Sequence, residues 1–285
     1  MSIRLSRVGF QYARGLTWEN TALKNIDLEI KRDEMLGIIG PTGSGKTTLL
    51  QLMNGIRHPS EGQVLIDNQD PANLKGREIT RLRQKVGLVF QFPEDQLFAN
   101  SVYEDVAFGP QNLGITGSEL EERVRWAMEA VDLDFGDLSR RRPQTLSGGQ
   151  KRRVAIAGIL ALKPEYLILD EPTAGLDPEG RKGLLALIRK LHEEQKIGVV
   201  MVSHHLWDVI STCDRIVVLV GGEIVKVGTP REILQDREEM NNFGLHLPPV
   251  NEVLHELKKV FPQLDVAPIG AAAAAGEIDR VLRSQ

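Results

Sequence analysis

The sequence predicts an α/β fold: a parallel-sheet core that carries an antiparallel β subdomain, a helical subdomain and a small C-terminal helical extension. Three observations carry that expectation. Short apolar runs at 35–39, 86–90, 166–169, 198–202 and 216–220 are rich in Val, Ile and Leu, as strands buried on both faces are. Helical stretches separate several of them, and strands alternating with helices imply parallel pairing. Residues 3–10 and 22–30 instead alternate apolar and polar side chains, the pattern of half-exposed antiparallel strands.

Taken in order, the two alternating stretches come first. The run 35–39 leads straight into a glycine-rich loop, and 47–54 reads as the helix after it. Residues 62–67 (Gly-Gln-Val-Leu-Ile-Asp) form a further strand, followed by the buried run 86–90. From 119 to 131 the pattern turns helical and charged. A second helix at 150–162 is cationic at its start and apolar afterwards, so residues 92–163 read as a helical insertion. Helices at 180–194 and 206–212 separate the last three buried strands, and after Gly228 the strand pattern stops. Pro248-Pro249 marks a linker or turn. Beyond it, Val250, Val253, Leu254, Leu257 and Phe261 fall on one helical face. The alanine run 271–275, flanked by glycines, is too uniform to specify packing and is expected to be mobile. The expected division is a main domain at 1–235 and a C-terminal helical extension at 236–285.

Composition narrows the function classes. At 285 residues, with 41% hydrophobic and 26% charged side chains, the chain has ample material for a buried core. A net charge of −4 does not suit a generally basic nucleic-acid binder. The apolar run 154–162 is far short of a membrane span, and the N-terminus, Met-Ser-Ile-Arg-Leu-Ser-Arg, lacks the apolar stretch of a signal peptide. Cys213 is the single cysteine, so no internal disulfide forms, which suits a reducing cytoplasm. The expectation is a soluble protein that reaches a membrane only through a partner.

Residues 40–47 match G-x-x-x-x-G-K-[ST] between a strand and a helix, the context that a phosphate-binding loop requires. Gly40, Pro41, Thr42, Gly43, Ser44 and Gly45 form the cradle, in which the glycines let backbone N–H groups converge on phosphate oxygens. The following helix adds its positive N-terminal dipole. Lys46 supplies a charge for the β- and γ-phosphates, the Thr47 hydroxyl is suited to ligate Mg²⁺, and Thr48 is counted with the nucleotide contacts. Downstream, Tyr-Leu-Ile-Leu-Asp170-Glu171-Pro is an apolar strand ending in two carboxylates. Asp170 is suited to hold Mg²⁺ through water. Glu171 is suited to orient and deprotonate an attacking water, which points to hydrolysis rather than nucleotide storage.

The pentapeptide Leu146-Ser147-Gly148-Gly149-Gln150 makes a resemblance explicit: the chain resembles the ATP-binding cassette (ABC) ATPases. Ser147 can cap the next helix, whose N-terminus then faces an anion. The resemblance implies a phosphate-loop NTPase fold with a RecA-like core, covering residues 3–235. It also implies that this turn binds the γ-phosphate held by an opposite subunit in a head-to-tail dimer. Arg140, Arg141, Arg142, Lys151, Arg152 and Arg153 flank the turn and give a local positive field, or a solvated helix face. By the same resemblance, Gln91 is a Mg²⁺ ligand and coupling sensor, and Asp177 is the aspartate of a loop crossing the dimer interface. His204 is the switch histidine, with His205 as the alternative. Tyr12 matches the aromatic that stacks on adenine, with Phe10 and Trp18 as rivals and a place in the core as the other reading.

The segment Phe90-Gln-Phe-Pro-Glu-Asp-Gln-Leu-Phe98, followed by Val102-Tyr-Glu-Asp-Val-Ala-Phe-Gly-Pro110, puts aromatics and carboxylates just beyond Gln91. Exposed Phe92, Leu97 and Phe98 would be costly without a partner or a core. This segment resembles the energy-coupling factor ATPases, in the form of the second of two paralogues. That implies ATP-driven uptake of a vitamin or of cobalt or nickel ions. The implied partners are a second ATPase (a sibling or a copy of itself), a membrane-embedded coupling subunit and a substrate-binding membrane subunit, with the chain peripheral on the cytoplasmic face. The stretch 245–249 and the helix after it resemble an extension used at the dimer contact, or pack on their own domain. The alternatives are a soluble cassette ATPase acting on nucleic acid or ribosomes, and a non-hydrolysing subunit. The chain has no basic arm for the first, and Lys46, Glu171 and His204 argue against the second.

Overall fold

The computed structural model describes residues 2–13 and 20–283. Two sheets organise the chain. A three-stranded antiparallel sheet has the order β2 (Asn20–Lys31), β1 (Ser2–Tyr12), β4 (Glu61–Ile66). A six-stranded sheet runs β5 (Val86–Val89), β6 (Tyr166–Asp170), β7 (Gly198–Val202), β3 (Met35–Ile39), β8 (Arg215–Val220), β9 (Glu223–Gly228). The pairings from β5 to β8 are parallel, and β9 closes the edge antiparallel to β8. Every residue of β3, β6 and β7 is buried, as their unbroken apolar composition requires of strands covered on both faces. The edge strand β9 alternates exposed and half-buried residues.

Helices cover this sheet and fill the insertion between β5 and β6. They are α1 (Lys46–Met53), α2 (Arg77–Lys85), α3 (Val102–Asn112), α4 (Gly117–Ala130), α5 (Phe135–Leu138), α6 (Gly148–Leu160), α7 (Pro178–Gln195) and α8 (Leu206–Thr212). Val106, Val124, Met128, Val154 and Ile156 bring α3, α4 and α6 into the main core with β3, β6 and β7. The antiparallel sheet shares a second core with α1 and the opposite face of the large sheet. The chain therefore positions the C-terminal ends of β3, β5, β6 and β7 along one edge, where open α/β sheets bind ligands.

Beyond β9 come α9 (Pro230–Gln235), α10 (Arg237–Asn242), α11 (Pro249–Lys258) and α12 (Ala271–Arg283). The main core runs on past residue 235, because Met240, Leu245, Leu247 and Ala267 all pack into it. Two expectations are corrected here. The alanine run 271–275 is the first turn and a half of α12 rather than a mobile segment. Ala274 and Val281, 2% and 1% exposed, pack against Leu254, Leu264 and Val266 in a small core of their own. Alanine has the strongest intrinsic helix preference, so a uniform run needs only one docked face to hold it. Val253 does not share the apolar face of α11: it is 55% exposed, while Leu254 is fully buried and Val250, Leu257 and Phe261 pack beside it.

Candidate active site

β3 delivers the chain into the phosphate loop, which ends at Gly45, the N-cap of α1, with φ +103°. A Cβ there would stand 2.5 Å from the Ala22 carbonyl oxygen, and one on Gly40 2.0 Å from that of Leu219. Both positions are closed to any larger residue. Lys46 is buried, and its ammonium donates to the carbonyls of Gly40 and Pro41, each at 2.8 Å. Burial pulls its pKa down, while the carboxylates of Glu171 and Asp170 oppose the shift. The Thr47 hydroxyl donates to Asp170 Oδ2 at 2.9 Å, joining the loop after β3 to the end of β6. Burial pushes the Asp170 carboxyl up, against the Thr47 hydrogen bond, with Glu171 adding to the rise and Lys46 opposing it. The Ser44 hydroxyl is buried with no partner among the described residues.

Glu171 sits just past β6 in the left-handed region, φ +48°, a costly conformation for a residue with a side chain. Its backbone N–H donates to Val202 at the end of β7. One carboxylate oxygen, Oε2, lies 3.1 Å from Gln91 Nε2 and 3.0 Å from His204 Nδ1. The ends of β5, β6 and β7 thus converge on a single carboxylate. A carboxylate held this way can orient a water and take its proton. His204, and not His205, makes this contact. His205 leans on the His204 ring at 4.0 Å, and its backbone N–H donates to the Ser203 hydroxyl.

A cleft of about 380 Å³ gathers these groups, lined among others by Tyr12, Thr42, Lys46, Gln91, Asp170 and Glu171. Tyr12 lines this cleft and also packs against the second core. Its hydroxyl shares a hydrogen bond with the buried Thr48 hydroxyl (2.9 Å), and the Arg57 guanidinium lies 4.7 Å from its ring centroid. Phe10 is withdrawn as a rival stacker, since it is 8% exposed and meets Tyr12 edge-on at 4.9 Å inside the core. Trp18 lies outside the described residues.

The second motif occupies a different face. Ser147 caps α6, accepting from the Gln150 N–H, while the Gln150 side chain accepts from the Ser147 N–H, a closed capping box. Among the described residues a Cβ on Gly148 or Gly149 would meet nothing within 4 Å, and neither glycine has positive φ. The groove beside them is lined by Ser147, Gly149, Gln150, Arg153, Leu176 and Glu179 among others, and no described residue lines both this groove and the phosphate-loop cleft. Asp177 is exposed and caps α7 through the Gly180 N–H (3.1 Å). Of the six flanking cations Arg152 is withdrawn from the surface field, while Arg153 stays partly exposed at the groove with its charge met by Asp132. Arg152 is 2% exposed and turns inward to Glu94, Pro172 and Ala174, and Arg153 donates to the Val131 carbonyl and Asp132. An Arg-rich run cannot announce which guanidinium finds internal acceptors.

Past Gln91 the chain turns at Phe92, with φ +52°. Phe92 and Phe98 are 44% and 66% exposed, and Phe98 meets the also exposed Phe108 (47%) edge-on at 5.0 Å. Leu97 is corrected: it packs against the main core. Sequence reasoning also missed Asp208. Wholly buried, it accepts from the Thr173 hydroxyl at 2.5 Å and pairs with Arg181 at 3.0 Å.

With this geometry in hand, the comparisons decide the family. The model of the ABC transporter family matches residues 23–174. The energy-coupling factor transporter ATP-binding protein EcfA2 of Caldanaerobacter subterraneus subsp. tengcongensis is 46% identical over 91% of this chain and 90% of its own. The chain belongs to the energy-coupling factor ATPases of the ABC transporter family. EcfA1 of the same organism is 43% identical over 90% of this chain and 91% of its own. Among solved structures, cbiO1 from Clostridium perfringens, described as part of the ABC transporter complex cbiONQ, is similar with a TM-score of 0.76. It is 37% identical, over 89% of this chain and 98% of that one. The cassette MJ0796, solved as a dimer bound to ADP and Pi, is similar with a TM-score of 0.71 and 33% identity over 80% and 98% of the two chains. This energy-coupling factor ATPase therefore has an ATP-hydrolysing cassette fold. Among its described residues no helix is long and apolar enough to cross a membrane.

Proposed function

We propose that this chain pairs head to tail with a second ABC ATPase at the cytoplasmic face of the membrane. There it powers an importer of a vitamin or of cobalt or nickel ions. One observation carries the pairing: the signature turn is a finished, exposed helix N-terminus whose two glycines answer to nothing among the described residues of their own chain. Glycine in the first turn of a helix weakens it, so its presence is explained by something from outside that approaches the backbone closely. A phosphate held on a partner's loop is that ligand.

At the chain's own loop the backbone and Lys46 hold the β- and γ-phosphates, and the orphaned Ser44 hydroxyl gains an acceptor. The Thr47 hydroxyl and the buried Asp170 carboxylate are a hard oxygen pair suited to Mg²⁺, with Gln91 as a further oxygen donor. The ion, when bound, neutralises charge on the β- and γ-phosphates. Glu171 orients the water and takes its proton. His204 and Gln91 fix the carboxylate and report on the γ-phosphate, Tyr12 stacks on adenine, and Asp177 crosses to the partner. The exposed Phe92, Phe98 and Phe108 receive a membrane subunit, and their large apolar area without cover supports that reading.

Glu171→Gln keeps the shape and removes the base. Turnover should fall by about 10²–10⁴, while the ATP-bound dimer becomes long-lived. Size-exclusion chromatography with ATP reads this out; a dimer no more stable than the unaltered one contradicts the water-activating role.

A further inference from the structure

Arg152 reaches three functional segments at once. It belongs to α6, two residues beyond the signature turn, and its side chain is only 3% exposed. Nη1 donates to the Pro172 carbonyl at 2.8 Å and to the Ala174 carbonyl at 2.9 Å, the residues that follow Glu171. Nη2 and Nε donate to the two carboxylate oxygens of Glu94 at 2.6 and 3.2 Å. Glu94 lies in the short 3₁₀ turn Pro93–Gln96, between exposed Phe92 and exposed Phe98. A guanidinium is planar and its fork is rigid, so two carbonyls on one side and a carboxylate on the other fix their mutual positions. A lysine, with one mobile point charge, could not hold all three.

We propose that Arg152, through Glu94, is a positioning residue that makes the signature turn move with the aromatic docking segment. A membrane subunit seated on Phe92 and Phe98 would then displace Glu94, and the fork would carry α6 and its N-terminal glycines with it. The site so controlled is the partner's nucleotide, not the chain's own. This rests on the composite-site reading above.

The test uses the intact transporter, purified by a tag on this chain, with vanadate trapping of a photoreactive azido-ATP. Labelling reports turnover at each chain's phosphate loop separately; if the dimer pairs two copies, one carries the change and a second tag. Arg152→Lys strips a buried residue and endangers the fold, so Glu94→Gln, at a side chain 21% exposed, carries the test. It leaves the carbonyl half of the fork, and with it the setting of Glu171, in place. Small displacements of catalytic groups cost about ten- to a hundredfold, so labelling of the partner should fall about tenfold while the chain's own label holds. Equal loss at both sites, or loss at neither, overturns the proposal. Ser147→Arg is run beside it. If Ser147→Arg lowers the partner's label and Glu94→Gln does not, only the coupling role of Arg152 fails. If Ser147→Arg lowers the chain's own label instead, the composite-site reading fails and this inference falls with it.

Discussion

The phosphate loop and the signature turn are both glycine-rich entries to helices, yet their glycines have different causes. At Gly40 and Gly45 the surrounding chain leaves no room for a Cβ, and Gly45 adopts a left-handed φ. At Gly148 and Gly149 there is open space and ordinary backbone. The loop is also tied inward: Lys46 donates to its own loop, Thr47 to Asp170, and Gln91 and His204 close on Glu171. The signature turn is capped and otherwise bare. One turn is shaped by its own fold; the other, on the proposed reading, by what it meets on a partner. On that reading, a single chain carries one assembled nucleotide site and half of another.

That contrast can be broken most severely at Gly45. Gly45→Ala should destabilise the chain by about 1–3 kcal/mol through overpacking and strain, and should abolish nucleotide binding. Chemical denaturation and ATP binding both read it. At the docking segment, Phe98→Asp should release the membrane subunits on purification while leaving ATP binding intact. Leu97→Asp should instead lower the thermal midpoint, because Leu97 packs on the core; equal behaviour of the two would remove the distinction. Gly148→Ala is the mirror of Gly45→Ala. Stability should hold or rise by up to about 1 kcal/mol, while turnover at the partner's site drops. A destabilised Gly148→Ala chain would mean the turn's own fold requires glycine.

The smallest effect concerns Asp105, whose Oδ1 accepts from the Phe98 and Ala99 N–H groups while Oδ2 is buried without a partner among the described residues. Burial pushes its carboxyl above the ordinary 3.8, the two backbone donors oppose that, and Glu104 adds to the rise. A raised folded value means that the folded state holds the proton more tightly than the unfolded chain. The group's contribution is therefore full below pH 3.8 and is lost as pH rises through the folded value. Asp105→Asn removes that loss, so its thermal midpoint at pH 7 should match or exceed that of the unaltered chain. A lower midpoint would show that the ionised carboxylate supports the segment.

Much of the fold was legible because its signals are local. Strands buried on both faces read as unbroken apolar runs, and a glycine loop between strand and helix has few other uses. Gln91, Asp170, Glu171 and His204 each end or follow such a strand, so their meeting along one sheet edge follows from parallel topology. What stayed hidden depends on distant partners. Arg152 turns inward because Glu94 lies 58 residues away in sequence. The alanines of α12 are held by Leu254 and Leu264, with Glu277 accepting from the Asp265 N–H. Leu97 and Phe98 are adjacent and both apolar, yet only one finds the core. No periodicity distinguishes them.

We propose that the signature turn serves a nucleotide on the partner's phosphate loop. It is tested most directly by a dimer carrying Ser147→Arg on this chain alone, with vanadate-trapped azido-ATP labelling read on each chain. The partner's label should be lost and this chain's label should remain. Loss confined to this chain's own label would contradict it.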